Sequence, residues 1–140
     1  MAAPRITVET TVNTPLAKAW DAWTTPEHIT KWNFASDDWQ CPWAKVELKV
    51  GGQYSARMEA KDGSFGFDFN CKLTKVTPGK LLEYAMEDGR KVEVSFEEKG
   101  GKTRVVETFD AETQNPVEMQ KQGWQSIMNN YKKYAESLAA

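Results

Sequence analysis

Glu107 is the residue with the most chemistry to offer. It stands in the stretch 103–109, TRVVETF, where Val105 and Phe109 share its face under the period-two alternation of a strand. If that face points inward, a carboxyl enters apolar surroundings. Burial without a partner raises a carboxyl pKa, and a raised carboxyl can act as acid or base. Two alternatives stand beside this one. The face of Val106 and Thr108 could be the inner one, or an inward Glu107 could be paired with a buried base or amide. Gln120 and Lys121 pose a similar choice at the start of the last amphipathic segment. On the apolar stripe, the Gln120 amide would fix a ligand carbonyl or hydroxyl; at a helix end outside the core, Lys121 would snorkel into water.

The remaining polar candidates carry less. His28 follows Pro26 and Glu27 at a helix start, and a general base needs a partner at hydrogen-bond range. No serine has a G-x-S-x-G setting, so a structural role is expected for His28. Asp68 and Asn70 alternate against strand apolars and are expected on a solvated face. Cys41, Cys71 and His28 are too dispersed for a zinc site and too few for a disulfide framework. Phosphate-loop, dinucleotide and zinc-helix motifs are missing. No catalytic residue, metal or cofactor is therefore assigned.

The aromatic residues are the stronger signal: six Trp, six Phe and four Tyr in 140 residues. Large rings fill small cores, and they also line pockets. Trp32, Phe34, Trp39 and Trp43 bracket an irregular stretch, 33–42, expected to be a loop. They would form a hydrophobic plug, or a gate over a cavity mouth. The candidate lining is completed by Tyr54, Met58, Phe67, Phe69, Tyr84 and Phe109 on strands, by Trp124 and Met128 on the last helix, and by Glu107 and Gln120 as orienting groups.

The elements that must position these residues are legible in the hydrophobic pattern. Residues 5–13 alternate as a β-branched strand. Thr14 is the expected N-cap of a short helix with Pro15 in its first position, and Thr25-Pro26 starts a second one. From 43 onward strand follows strand, broken by Gly51-Gly52, Asp62-Gly63, Pro78-Gly79, Asp88-Gly89 and Gly100-Gly101. Hairpin-length links make neighbours antiparallel. Residues 116–138 form an amphipathic helix of about six turns, capped by Asn115, with Trp124 at the centre of an apolar stripe that includes Val117, Gln120, Ile127, Met128, Tyr131, Ala135 and Leu138.

A sheet with one apolar face must cover that face, and one long helix is available to do it. A twisted antiparallel sheet can curl around the helix, but a curved surface stands off from a straight rod. A space between them is the physical expectation, apolar with a few polar groups. The length fits one α+β domain spanning 1–140. Net charge is −2, with 18 basic and 20 acidic residues interspersed, which gives no drive toward nucleic acid or an anionic membrane. A signal pattern and a membrane-length apolar run are both missing, so a cytoplasmic location without membrane insertion is expected.

The order strand, two short helices, about six more strands and a long C-terminal helix resembles the helix-grip fold of the START and birch-pollen-allergen-like (SRPBCC) superfamily. NTPLAKAWDAWTTPEHITKW, VELKVGGQY, DGSFGFDF, GRKVEVSFEE, GGKTRVVETFD and NPVEMQKQGWQSIMNNYKKY are closer still to its bacterial branch related to the C-terminal domain of the activator of the heat-shock chaperone ATPase. The resemblance implies a curved antiparallel sheet of six to seven strands around the C-terminal helix, and a small-molecule cavity. Relatives are described as lipid or polyketide binders, aromatase/cyclases, hydrolase-like proteins and chaperone cofactors, so it implies no single activity. The expected function is binding of a small, largely apolar or aromatic ligand. The alternatives are a cyclase- or hydrolase-like enzyme using Glu107, and an interaction protein with a chaperone partner or a second copy of the chain.

Overall fold

A computed structural model describes residues 5–138. Strand β1 (Arg5–Val12) leads into helices α1 (Leu16–Thr24) and α2 (Pro26–Ile29). Two short strands follow, β2 (Trp39–Gln40) and β3 (Ala44–Val46), then the long strands β4 (Gln53–Ala60), β5 (Gly66–Thr77), β6 (Leu81–Met86), β7 (Lys91–Lys99) and β8 (Lys102–Asp110), and finally helix α3 (Val117–Ser137). The sheet runs β1-β8-β7-β6-β5-β4-β2, with β3 paired to β4 beside that path. Every pairing is antiparallel. This is the α+β helix-grip arrangement, a curled sheet closed over its C-terminal helix.

The burial of each strand follows its alternation. In β8, Thr103, Val105, Glu107 and Phe109 are buried while Arg104, Val106 and Thr108 are partly exposed. In β7, Val92, Val94 and Phe96 face the same way. The curl has a local cause in β5, whose register against β6 shifts between Leu73 and Lys75. The bulge lets the Thr74 hydroxyl donate to the Glu83 carbonyl at 3.1 Å. Gly52 marks the tight turn into β4, where a Cβ would lie 2.1 Å from the Glu47 carbonyl oxygen.

Helix α3 buries Gln120, Met128, Tyr131 and Ala135 against the sheet and α1. Val117 and Met119 in its first turn stay exposed, so the helix stands off from the sheet at that end. The expected caps are not used. Pro116 occupies the N-cap position of α3 without a side-chain bond, and the Asn115 amide turns to the Glu112 carboxylate instead. Likewise Pro15 caps α1. Thr14 is buried, and its carbonyl accepts from the Thr103 hydroxyl at 2.9 Å. The strand expected through residue 50 ends at Val46, because the chain must turn back through Gly51-Gly52. Trp39 and Gln40, expected in a loop, form a two-residue strand against β4.

Both cysteines are free and buried, and burial pushes the thiols up, Cys41 to about 11 and Cys71 to about 12. Among the described residues no cluster could hold a metal ion, and no helix is long and apolar enough to cross a membrane.

Candidate functional site

A cavity of about 350 Å³ lies between the inner face of the sheet and the N-terminal half of α3. Its deep wall is made of buried residues from four elements and a turn: Trp23 of α1, Trp32 after α2, Tyr54 of β4, Tyr84 of β6 and Glu107 of β8. Trp23 and Trp32 lie 4.9 Å apart by ring centroids, and Tyr54 stacks on Tyr84 at 4.7 Å. The mouth is framed by Met58, Phe67 and Phe69 on the β4–β5 hairpin and by Met86 and Arg90 at the β6–β7 turn. Glu112 and Asn115 from the β8–α3 connection close the frame.

Alternation and register explain why Glu107 faces in. It pairs with Val8 on one side and Val94 on the other, both fully buried. The residue is 5 % exposed. Burial alone pushes its carboxyl up to about 8, since no hydrogen bond or charge among the described residues stabilises the ionised form. The alternative of an inward Glu107 paired to a base or amide is thereby set aside. Three further polar groups border the cavity. The buried Trp23 indole N–H has no hydrogen-bond partner among the described residues; it comes near enough to the Tyr84 hydroxyl to favour the phenolate weakly, without a well-formed bond. Burial, followed by the nearby Glu107, pushes the Tyr54 and Tyr84 hydroxyls well above the ordinary tyrosine value. The Tyr54 hydroxyl itself donates to the Trp23 carbonyl at 2.7 Å.

Gln120 is buried at the cavity edge, as one alternative had it, but its amide is already committed. Its Oε1 accepts from the Glu112 N–H at 2.9 Å, and its Nε2 donates to the Asn115 carbonyl at 2.8 Å and the Glu112 carbonyl at 3.2 Å. The side chain therefore ties down the β8–α3 connection and has no free group for a ligand. Gln120→Ala should strand those backbone groups and cost about 1–3 kcal/mol, read as a lower urea midpoint. An unchanged midpoint would mean that the connection holds without the amide.

The structure gathers Trp32, Tyr54, Met58, Phe67, Phe69, Tyr84, Glu107, Gln120 and Trp124 around the cavity. The other candidates lie elsewhere, each for a packing reason. Trp43 points outward because its neighbours Ala44 and Val46 take the inner face by pairing with Ala56 and Tyr54; Lys45 lies over its ring at 5.6 Å. Trp39 packs beside Phe65 and Phe67, with centroids at 5.9 and 6.3 Å, on the rim. Phe34 packs against the core, and its carbonyl accepts from the Asn130 amide. Phe109 is sealed from the cavity by Trp124, stacked on it at 3.8 Å, and Met128 is fully buried in the core beyond. So of the four rings around the expected gate, Trp32 alone lines the space. His28 is structural in its contacts, with Nδ1 2.6 Å from the Tyr134 hydroxyl and Nε2 3.2 Å from Asp21.

Sequence reasoning singled out neither Trp23 nor Gly123, and both line the cavity. The latter did leave a signal. On α3 the lining positions are Met119, Gln120, Gly123, Trp124 and Ile127, so Gly123 lies near the middle of the stripe that faces the cavity. A Cβ added there would meet nothing within 4 Å. Glycine in a helix interior costs about 1 kcal/mol relative to alanine, and here close packing does not require it. Its absent side chain leaves volume open.

With that geometry in place, the comparisons are specific. Residues 13–136 match the family described as Activator of Hsp90 ATPase homolog 1-like protein. An AHSA1-like protein from Aeromonas hydrophila, solved in solution, is 42% identical, with 96% of this chain and 94% of that one covered and a TM-score of 0.90. A protein from Cytophaga hutchinsonii is 46% identical over 96% and 93% of the two chains, with a TM-score of 0.81. A Nitrosomonas europaea protein shares the fold at 16% identity, covering 96% of this chain and 95% of that one, with a TM-score of 0.81. Among curated proteins there is no match. The chain belongs to the Activator of Hsp90 ATPase homolog 1-like protein family.

Proposed function

We propose that this protein binds a small, largely apolar or aromatic molecule in the space between its sheet and the first half of α3. The observation that supports the reading best is a volume of about 350 Å³ walled by Trp, Tyr, Phe and Met side chains, with a buried, unpartnered carboxyl aimed into it. An apolar occupant would remove ring surface from water at roughly 25 cal/mol per Å², and one polar group would fix its orientation.

Gly123→Leu tests this directly. The neutral fluorophore N-phenylnaphthylamine should bind the natural protein saturably, at one site. The leucine side chain would project into the space that glycine leaves open, and affinity should fall about tenfold or more. Stability should hold or rise slightly, because leucine is the better helix former. Undiminished binding in a folded Gly123→Leu protein would place the apolar site elsewhere and remove the proposal.

A second reading has one observation in its favour. A carboxyl pushed up to about 8 is poised to give or take a proton near neutrality. Turnover of a bound compound that follows the ionisation of Glu107, and disappears in Glu107→Gln, would convert the binding reading into an enzymatic one.

A further inference from the structure

We propose that the molecule this cavity selects is an apolar amine or ammonium compound, seated with its cationic group against the Glu107 carboxylate and its hydrocarbon among the rings. The inference rests on the binding reading above and adds the charge of the ligand to it.

The sheet around Glu107 is apolar, and the polar groups that share its cavity wall, the Trp23 indole N–H and the Tyr54 and Tyr84 hydroxyls, carry no positive charge. Val8 of β1 and Val94 of β7 flank it across the sheet, and Val105 and Phe109 flank it along β8. The Tyr54 and Tyr84 rings, from β4 and β6, line the same cavity, close enough for the Glu107 charge to act on their hydroxyls. The positions that α3 offers are Gln120, Gly123, Trp124, Ile127 and the rim residue Met119, none of which carries charge. Arg90 is the one cationic residue of the lining, and it sits at the mouth with its Nε 2.7 Å from the Asp88 carboxylate. Glu112 adds a second carboxyl at the rim. The described lining thus holds an acid with no counter-charge and a cation already paired.

Three ligand charges meet different fates in this space. A carboxylate head would be desolvated beside a protonated Glu107 with no free cation to offset its charge, and Glu112 would repel it at the rim. A neutral hydroxyl would be tolerated by a protonated Glu107, with modest gain. An ammonium would supply the missing counter-charge, and the Glu107 proton would pass to solvent as the pair forms. The same cation would meet aromatic faces, which attract it further once water is excluded. A ring-walled pocket with a carboxylate in its depth is therefore better matched to a cation than to a fatty acid.

Phenylbutylamine, phenylbutanol and phenylbutanoate share one hydrocarbon and differ in head-group charge. Titrated calorimetrically into the full 140-residue chain near neutral pH, the amine should bind about tenfold or more tighter than the alcohol, with the carboxylate weakest. In buffers of different ionisation enthalpy, amine binding should release close to one proton, a readout that needs no variant. In Glu107→Gln the amine should lose its advantage while the alcohol keeps its affinity. An alcohol that binds the natural protein as tightly as the amine would overturn the charge assignment and leave the apolar site standing. If none of the three binds at millimolar concentration, the binding reading falls and the charge assignment falls with it.

Discussion

Glu107→Gln is expected to stabilise the protein by a few kcal/mol at alkaline pH and to change it little in acid. The sign follows from where the proton sits. The carboxyl titrates near 4.5 in the unfolded chain and near 8 in the folded protein. Below the lower value both states are protonated and the group makes no pH-dependent contribution. Between the two, the folded state keeps a proton that the unfolded state has released, so stability falls steadily as pH rises. Above about 8 both are ionised, and the full cost of a buried, unpartnered charge is present. That difference in proton affinity corresponds to on the order of 5 kcal/mol at about 1.4 kcal/mol per tenfold. Glutamine keeps the shape and removes the titration, although its amide is also buried without a partner and gives back part of the gain. Urea unfolding from about pH 4 to pH 9 checks this: the natural chain should lose its midpoint progressively and Glu107→Gln should not. Parallel curves for the two proteins would mean that water or an unseen partner solvates the carboxyl, and the cavity would then be no place for a lone charge.

The same carboxylate illustrates what was legible from the residues. Its inward direction was one of two faces that TRVVETF left open, with Val105 and Phe109 on one and Val106 and Thr108 on the other, and the pairing with buried Val8 and Val94 decides between them. Period two and period 3.6 are enforced by the backbone, so the long strands, the final helix and most strand-borne lining residues could be read in advance. The stretch from Asn33 to Trp43 obeys no such period. There, ring direction depends on which partner strand captures the chain: once Ala44 and Val46 pair with β4 facing inward, Trp43 has to face water. Hydrogen-bond commitments were equally hidden. The Gln120 amide is used by Glu112 and Asn115, and its spacing to them in sequence does not say whether the chain folds back to meet it. Gly123 was visible but unread, since a helical glycine has meaning only once the space in front of it is known.

These features together explain how a small domain can hold an empty space without losing its fold. The half of α3 that carries Met128, Tyr131 and Ala135 is packed solid against the sheet and α1, while the half that carries Gly123 stands over the cavity. Stability and function are thus assigned to different turns of one helix. Changes near Gly123 can alter what fits while leaving the core intact; changes near Tyr131 strike the fold itself.

Tyr131→Ala should therefore be among the most damaging single substitutions, at about 3–5 kcal/mol. The ring is fully buried, with Trp23 at 4.7 Å and Trp32 at 5.1 Å, both edge-to-face. Its hydroxyl donates to the Ala19 carbonyl at 2.6 Å, which fastens α1 to α3. Removing the side chain deletes ring contacts, opens a void behind the deep wall and strands a buried carbonyl lone pair. For a chain of this length the loss corresponds to a fall in Tm of ~10–20 °C. Tyr131→Phe separates the terms: it keeps the ring and removes the hydroxyl, so about 1–2 kcal/mol should be lost. Because Trp23 and Trp32 lean on this ring, Tyr131→Ala should also weaken N-phenylnaphthylamine binding in whatever fraction stays folded, although Tyr131 does not line the cavity. A Tyr131→Ala protein that melted with the natural one would show that α1 and α3 are held together by something other than this aromatic cluster, and the division of labour along α3 would be wrong.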